Sequence, residues 1–197
     1  MAKRFIVISF MALLPLALLW GCGELGQVDQ GRVIAYDADK GIVTLIQDKR
    51  GEPGNPDYNT LPPHTYTIPL APNEMGPVPK AGERIKLDLK TKEVTIFDPK
   101  TQNFKVIPFT LIDQRENIGR DNPLVKDKTF PIIDKEKKTI TEYSGRQRVL
   151  VTFSVADEYF ELPEYYWEAG DEVRIYYKEP GKALRMMNIT KTDIFKK

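Results

Sequence analysis

From Val28 onward the apolar residues recur at every second position, and that period restricts the chain to β-structure. Ile85-Lys86-Leu87-Asp88-Leu89 alternates strictly, and residues 104–112 alternate again. Arg32-Val33-Ile34-Ala35-Tyr36 and Ile42-Val43-Thr44-Leu45-Ile46 are rich in β-branched side chains and are joined by Asp37-Ala38-Asp39-Lys40-Gly41. This predicts a hairpin in which Gly41 takes the positive φ the turn requires. A second hairpin is predicted where the turn Lys90-Thr91-Lys92 leads into Val94-Thr95-Ile96-Phe97. Prolines and glycines interrupt residues 48–64 and 72–79, which therefore read as loops. Only residues 163–168 suggest a short helix. The expected fold class is all-β.

An internal echo suggests how the strands are grouped. Ala81-Gly82-Glu83-Arg84-Ile85-Lys86-Leu87 returns as Ala169-Gly170-Asp171-Glu172-Val173-Arg174-Ile175. Lys40-Gly41-Ile42-Val43-Thr44 has a weaker counterpart in Lys137-Lys138-Thr139-Ile140-Thr141. A spacing of nearly 90 residues is too long for a solenoid unit and suits a duplicated small barrel. The expectation is two OB-like or SH3-like β-barrel modules in tandem, residues 28–112 and 129–197, with a polar linker at 113–128.

The N-terminus has an export layout. Lys3 and Arg4 precede an apolar run, and Leu19-Trp20-Gly21-Cys22 closes it. At about 15 residues the run is short for a spanning helix, which needs about 20. Leu and Gly at three and one positions before Cys22 fit a lipobox, although Trp20 is bulkier than the small residues usual there. Residues 1–21 are thus expected to be a signal peptide and 22–27 a tether. Cys22 would carry a diacylglyceryl group on sulfur and an acyl chain such as palmitate on its amino group, enough for a stable anchor. Gly23, in place of Asp, points to the outer membrane.

Composition narrows the chemistry. From Cys22 onward 27 basic side chains face 28 acidic ones, a balance that argues against nucleic acid as a partner. One cysteine excludes an internal disulfide, and one histidine, His64, excludes a histidine metal cluster. Ser144 and Ser154 sit in no nucleophile-elbow pattern, and His64 beside Pro62-Pro63 reads as a loop residue. Asp37, Asp39 and Asp48 fall at calcium-loop positions 1, 3 and 12, but a hairpin explains them with fewer assumptions. No cofactor, metal or catalytic residue is expected. The distinctive segment is Asp157-Glu158-Tyr159-Phe160-Glu161-Leu162-Pro163-Glu164-Tyr165-Tyr166-Trp167-Glu168. Its aromatics and acids nominate Tyr159, Tyr165, Tyr166, Trp167, Glu161 and Glu164 as partner-binding residues, or else Phe160, Leu162 and one or two of Tyr165 to Trp167 cap the open end of the second barrel with their acidic neighbours solvated.

The lipobox, Gly31-Arg32-Val33, Ser144-Gly145-Arg146-Gln147, the segment Ala169-Gly170-Asp171-Glu172-Val173-Arg174-Ile175-Tyr176-Tyr177 and the tail Asn188-Ile189-Thr190-Lys191-Thr192-Asp193-Ile194-Phe195 together resemble a small family of uncharacterised bacterial lipoproteins. The resemblance implies an association with sulfate-reducing bacteria and supports the anchor; it supplies no ligand and no catalytic residue. The expected function is a lipid-anchored, non-catalytic envelope protein that binds or scaffolds an envelope protein or glycan. The rivals are a carboxylate-type hydrolase of envelope glycans, using acids from residues 157–172 with Asp37 or Asp48, and an accessory subunit docked through the loop at 48–64.

Overall fold

A computed structural model describes residues 25–52, 55–69, 71, 74–145 and 147–192. Strands dominate, as the alternation requires: β1 (Gln27–Asp37), β2 (Ile42–Gln47), β3 (His64–Thr67), β4 (Arg84–Asp88), β5 (Glu93–Asp98), β6 (Asn103–Pro108), β7 (Thr110–Arg115), β8 (Ile132–Asp134), β9 (Thr139–Ser144), β10 (Val149–Ser154), β11 (Glu172–Glu179) and β12 (Lys182–Asn188). One helical turn, α1 (Asp157–Phe160), and one 3-10 turn (Glu164–Tyr166) lie between β10 and β11.

The grouping departs from two barrels in tandem. A closed barrel runs in the order β1-β11-β12-β3-β2, drawing strands from both ends of the chain. Gln27 to Arg32 on β1 pair with Tyr177 to Glu172 on β11, across some 140 residues of intervening sequence. Its interior holds Val33, Val43, Leu45, Tyr66, Ile68, Val173, Ile175 and Met186. The intervening strands form two sheets, β4-β5-β6 and β7-β10-β9-β8. Only Phe109 separates β6 from β7, so one extended run passes from the first of these sheets to the second. Sheets that share a strand in this way form a corner around a common core. That core contains Val94, Ile96, Ile107, Phe109, Ile140, Val151, Phe153 and Trp167. A third cluster, Ile34, Ile46, Tyr58, Ile85 and Phe97, cements the outside of the barrel to the β4-β5 hairpin.

The repeated Ala-Gly-acid segments explain the departure. They meet each other, instead of each starting a separate barrel. Glu83 bridges Ala169, Gly82 N–H donates to Val33 O at 3.2 Å, and Val33 N–H donates to Asp171 O at 2.9 Å. Asp171 Oδ2 in turn accepts from the backbone N–H of Lys80 at 2.8 Å. Backbones come so close here that a Cβ on Gly170 would lie 1.8 Å from Val33 O, and one on Gly82 would lie 2.3 Å from Glu168 O. Only glycine admits such an approach.

The loop at 48–63 is held to the body at two points, Tyr58 and Asp48. Tyr58 is buried in the third cluster beneath Arg32, whose guanidinium carbon lies 5.0 Å from the ring centroid. Asp48 Oδ1 accepts from the backbone N–H of Arg50 at 3.1 Å and of Asp57 at 2.8 Å.

Gly170→Ala is expected to destabilise the protein severely, by about 3 kcal/mol or more, since the clash is with backbone that cannot move aside. Gly119→Ala, where the added Cβ would meet only the end of Arg148 at 3.7 Å, is the control and should shift the denaturant midpoint little.

Candidate functional site

Three groupings of polar side chains stand out in the fold. The first is the acidic–aromatic segment. Residues 156–167 fold back over the sandwich core because α1 and the 3-10 turn each reverse the chain, with Tyr159 N–H donating to Ala156 O at 2.9 Å and Trp167 N–H to Glu164 O at 2.9 Å. Trp167 is 0% exposed and packs edge-on to Phe153, with ring centroids 6.4 Å apart. Tyr166 is also buried, and burial pushes its phenol up to about 12. These two of the six nominated residues are therefore core, unavailable to a partner. Tyr165 is 47% exposed and stacks on Tyr166 at 4.7 Å. Tyr159 is half-buried, with Lys105 Nζ 4.7 Å from its ring centroid, and Glu161 and Glu164 are exposed. What remains outside is a solvated strip of Tyr159, Glu161, Glu164 and Tyr165, bordered by the exposed Asp157 and Glu158.

The second grouping lies where barrel and sandwich meet. Arg84 Nη2 reaches Glu142 Oε2 at 3.0 Å, joining β4 to β9 across the sandwich, and its Nε donates to Trp167 O at 2.9 Å. Both partners are nearly sealed from water. Burial raises Glu142 to about 7 even though the Arg84 charge pulls the other way. Glu83, next in the chain, is also raised to about 7, mainly by burial, with the nearby Asp98 charge adding to it. Glu83 Oε2 and Glu142 Oε1 are buried without a hydrogen-bond partner. Two carboxyls displaced toward neutrality resemble acid–base machinery. Both are buried, Glu83 at 8% and Glu142 at 2% exposure.

The third grouping was not legible as a site in the sequence. Asp29, on the inward face of β1, is 2% exposed. His64 Nδ1 lies 2.6 Å from its Oδ2, and the Tyr66 hydroxyl donates to the same oxygen at 2.8 Å. Burial raises the Tyr66 phenol, and its hydrogen bond to Asp29 raises it further. His64 is thus the first residue of β3 and not a loop residue. It closes one end of the barrel by tying β3 to β1, two strands that are not hydrogen-bonded neighbours. The parity of β1 contained a signal: Asp29, Gly31 and Val33 share one face, and a carboxylate among inward positions demands a partner.

The calcium alternative gives way to the hairpin. Asp37 accepts from the Lys40 backbone and pairs with its ammonium at 2.8 Å, while Asp48 holds the following loop. Among the described residues, no three metal-ligating side chains converge. Hollows of about 380 Å³ beside Pro108, Phe109 and Val155, and of about 400 Å³ beside Glu74, Tyr176, Leu184 and Arg185, are both open to solvent. Cys22 lies outside the described residues.

Residues 24–197 match a domain of unknown function, DUF4881. The chain belongs to that family. An uncharacterised family is what the resemblance implied, and the match takes in the whole of the barrel and the sandwich. No curated protein and no solved structure matches the chain.

Glu83 makes the stability of the fold depend on pH in a known direction. Its ordinary value is 4.5 and its folded value about 7, so the native state holds the proton more tightly than the unfolded chain. Stability then falls as pH rises from 4.5 to about 7, and the loss is complete above that range. Glu83→Gln should raise stability at pH 8 by about 1–3 kcal/mol and change it little at pH 4. Urea titrations of both proteins at the two pH values provide the check.

Proposed function

We propose that the protein is a lipid-anchored, non-catalytic component of the bacterial cell envelope, held at Cys22 on the periplasmic face of the outer membrane. Its rigid β-body presents a binding strip to an envelope partner. The observation that carries this reading is the form of the acidic–aromatic segment: Trp167 and Tyr166 are committed to the core, and the acids around them are solvated. Such a surface is suited to contact, because its carboxylates Glu161, Glu164 and Glu158 are exposed to solvent. The carboxyls whose proton affinity would suit acid–base work, Glu83 and Glu142, are sealed inside. That supports the binding reading over a glycan hydrolase, which needs two carboxyls flanking a bound sugar.

The strip also indicates the chemistry of its partner. Glu161, Glu164 and Glu158 make it anionic, Asp157 being paired with Lys138 at 2.7 Å, and Tyr165 supplies a flat, half-exposed ring. A basic face on another envelope protein complements it, with electrostatics setting the approach and the aromatic ring the contact. The tether is short, since Cys22 stands five residues before β1.

Mass spectrometry of the protein purified from its host should find Cys22 as the N-terminus, bearing diacylglyceryl and N-acyl groups. An unmodified Cys22 would sink the anchor. The binding strip has its own test in affinity capture from solubilised envelopes. Glu161→Lys combined with Glu164→Lys should reduce recovery of the partner about ten-fold or more, with the circular dichroism spectrum unchanged. Equal recovery by the wild-type and charge-reversed proteins counts against the strip as the binding surface.

A further inference from the structure

The outer face of the barrel beside the chain's N-terminal end has a composition that the binding strip does not explain. On β1 and β11, Val28 pairs with Tyr176 and Gln30 with Arg174, and all four side chains point away from the interior residues Val173 and Ile175. Leu25 is 94% exposed, Val28 59% and Leu184 46%. Tyr176 and Leu184 line one open hollow with Arg185 and Glu74. The Tyr176 ring covers Gly26 so closely that a Cβ there would lie 2.2 Å from it, which places the ring beside the start of the tether. Two basic side chains, Arg174 and Lys178, border these apolar ones, while Arg185 is paired with Glu74 at 2.7 Å. Arg174 is held along the sheet by two hydrogen bonds to Gln30 Oε1, at 3.1 and 2.8 Å, and Lys178 is exposed two residues beyond Tyr176.

We infer that this face, made by Leu25, Val28, Tyr176 and Leu184 with Arg174 and Lys178 at its margin, rests on the bilayer that holds the anchor. The inference depends on Cys22 being acylated. Given that, the occupant of the face follows from chain length. Leu25 is three residues from Cys22, and three residues span at most about 10 Å. An exposed leucine within that distance of the acyl glycerol is in the headgroup layer or against it. Tyrosine is favoured at that level, with its ring among the acyl carbons and its hydroxyl in the wet layer. Guanidinium and ammonium groups at the edge of an apolar patch extend toward lipid phosphates while their methylenes cover the patch. Docking in this manner fixes the orientation of the whole body, since β1 and β11 are built into the closed barrel.

The test uses the full acylated chain in vesicles of phosphatidylethanolamine with a minority of phosphatidylglycerol. Cys22 is the chain's one cysteine and acylation blocks its sulfur, so Val28→Cys introduces a sole free thiol for a fluorescent label. Lys135→Cys, on the exposed turn between β8 and β9, is the reference. Iodide quenching of the Val28 label should be about three-fold weaker or more than at Lys135, and a headgroup-attached nitroxide should quench Val28 selectively. Equal iodide quenching at the two positions, with Cys22 acylated by mass spectrometry, overturns the docking and leaves the anchor standing. An unmodified Cys22 overturns the anchor and the docking with it. Protection of Val28 in the lipid-free Cys22→Ala chain assigns the face to protein contact instead and also overturns lipid docking.

Discussion

The crossing of two backbones at Gly82 and Gly170 holds this architecture together. Each glycine lies against the main chain of the other segment or of Val33, and the hydrogen bonds made there leave little freedom in how barrel and sandwich sit. From that crossing β4 runs into the sandwich and β11 into the barrel. The side chains near it complete the joint: Asp171 accepts from the Lys80 backbone, and Arg84 reaches Trp167 O and Glu142. A main-chain crossing of this kind tolerates no side chain. The sequence therefore keeps Ala-Gly-acid in both places although the strands that follow belong to different sheets.

Burying so many charged groups beside the joint has a cost in stability. Glu83 and Glu142 each retain an oxygen without a hydrogen bond, and both are pushed toward neutrality. A buried pair such as Arg84–Glu142 contributes little net stability over an apolar replacement, yet removing one partner alone would strand the other charge. The pair ties β4 to β9 across the sandwich at one point. Asp29 plays a comparable part at the barrel end, where a single carboxylate oxygen gathers His64 and Tyr66 from β3.

Much of the local structure was legible. The hairpin turn at Gly41 takes φ of 61°, and β4 and β5 fall where the alternation of residues 85–97 places them. The acidic–aromatic segment caps no barrel end: Trp167 and Tyr166 lie in the core of the open sheets, while Tyr165 and Glu161 face solvent. His64 was not legible. Its meaning depends on Asp29, 35 residues earlier, and neither residue carries a local mark of the other. The same holds for Tyr58, which sits in a loop of prolines and glycines and yet is buried under Arg32.

By itself the sequence determined the elements: a period of two makes strands, and glycine and proline end them, whereas the repeated Ala-Gly-acid segments suggested a duplication and not the contact they make. It also contains Leu19-Trp20-Gly21-Cys22, on which the proposed anchor rests. Tertiary structure alone decided that β1 pairs with β11, that the two repeats meet each other, and which aromatics reach solvent. The physical reason is range. Alternation and turn chemistry act over a few residues, whereas strand pairing and burial depend on side chains brought together from opposite ends of the chain.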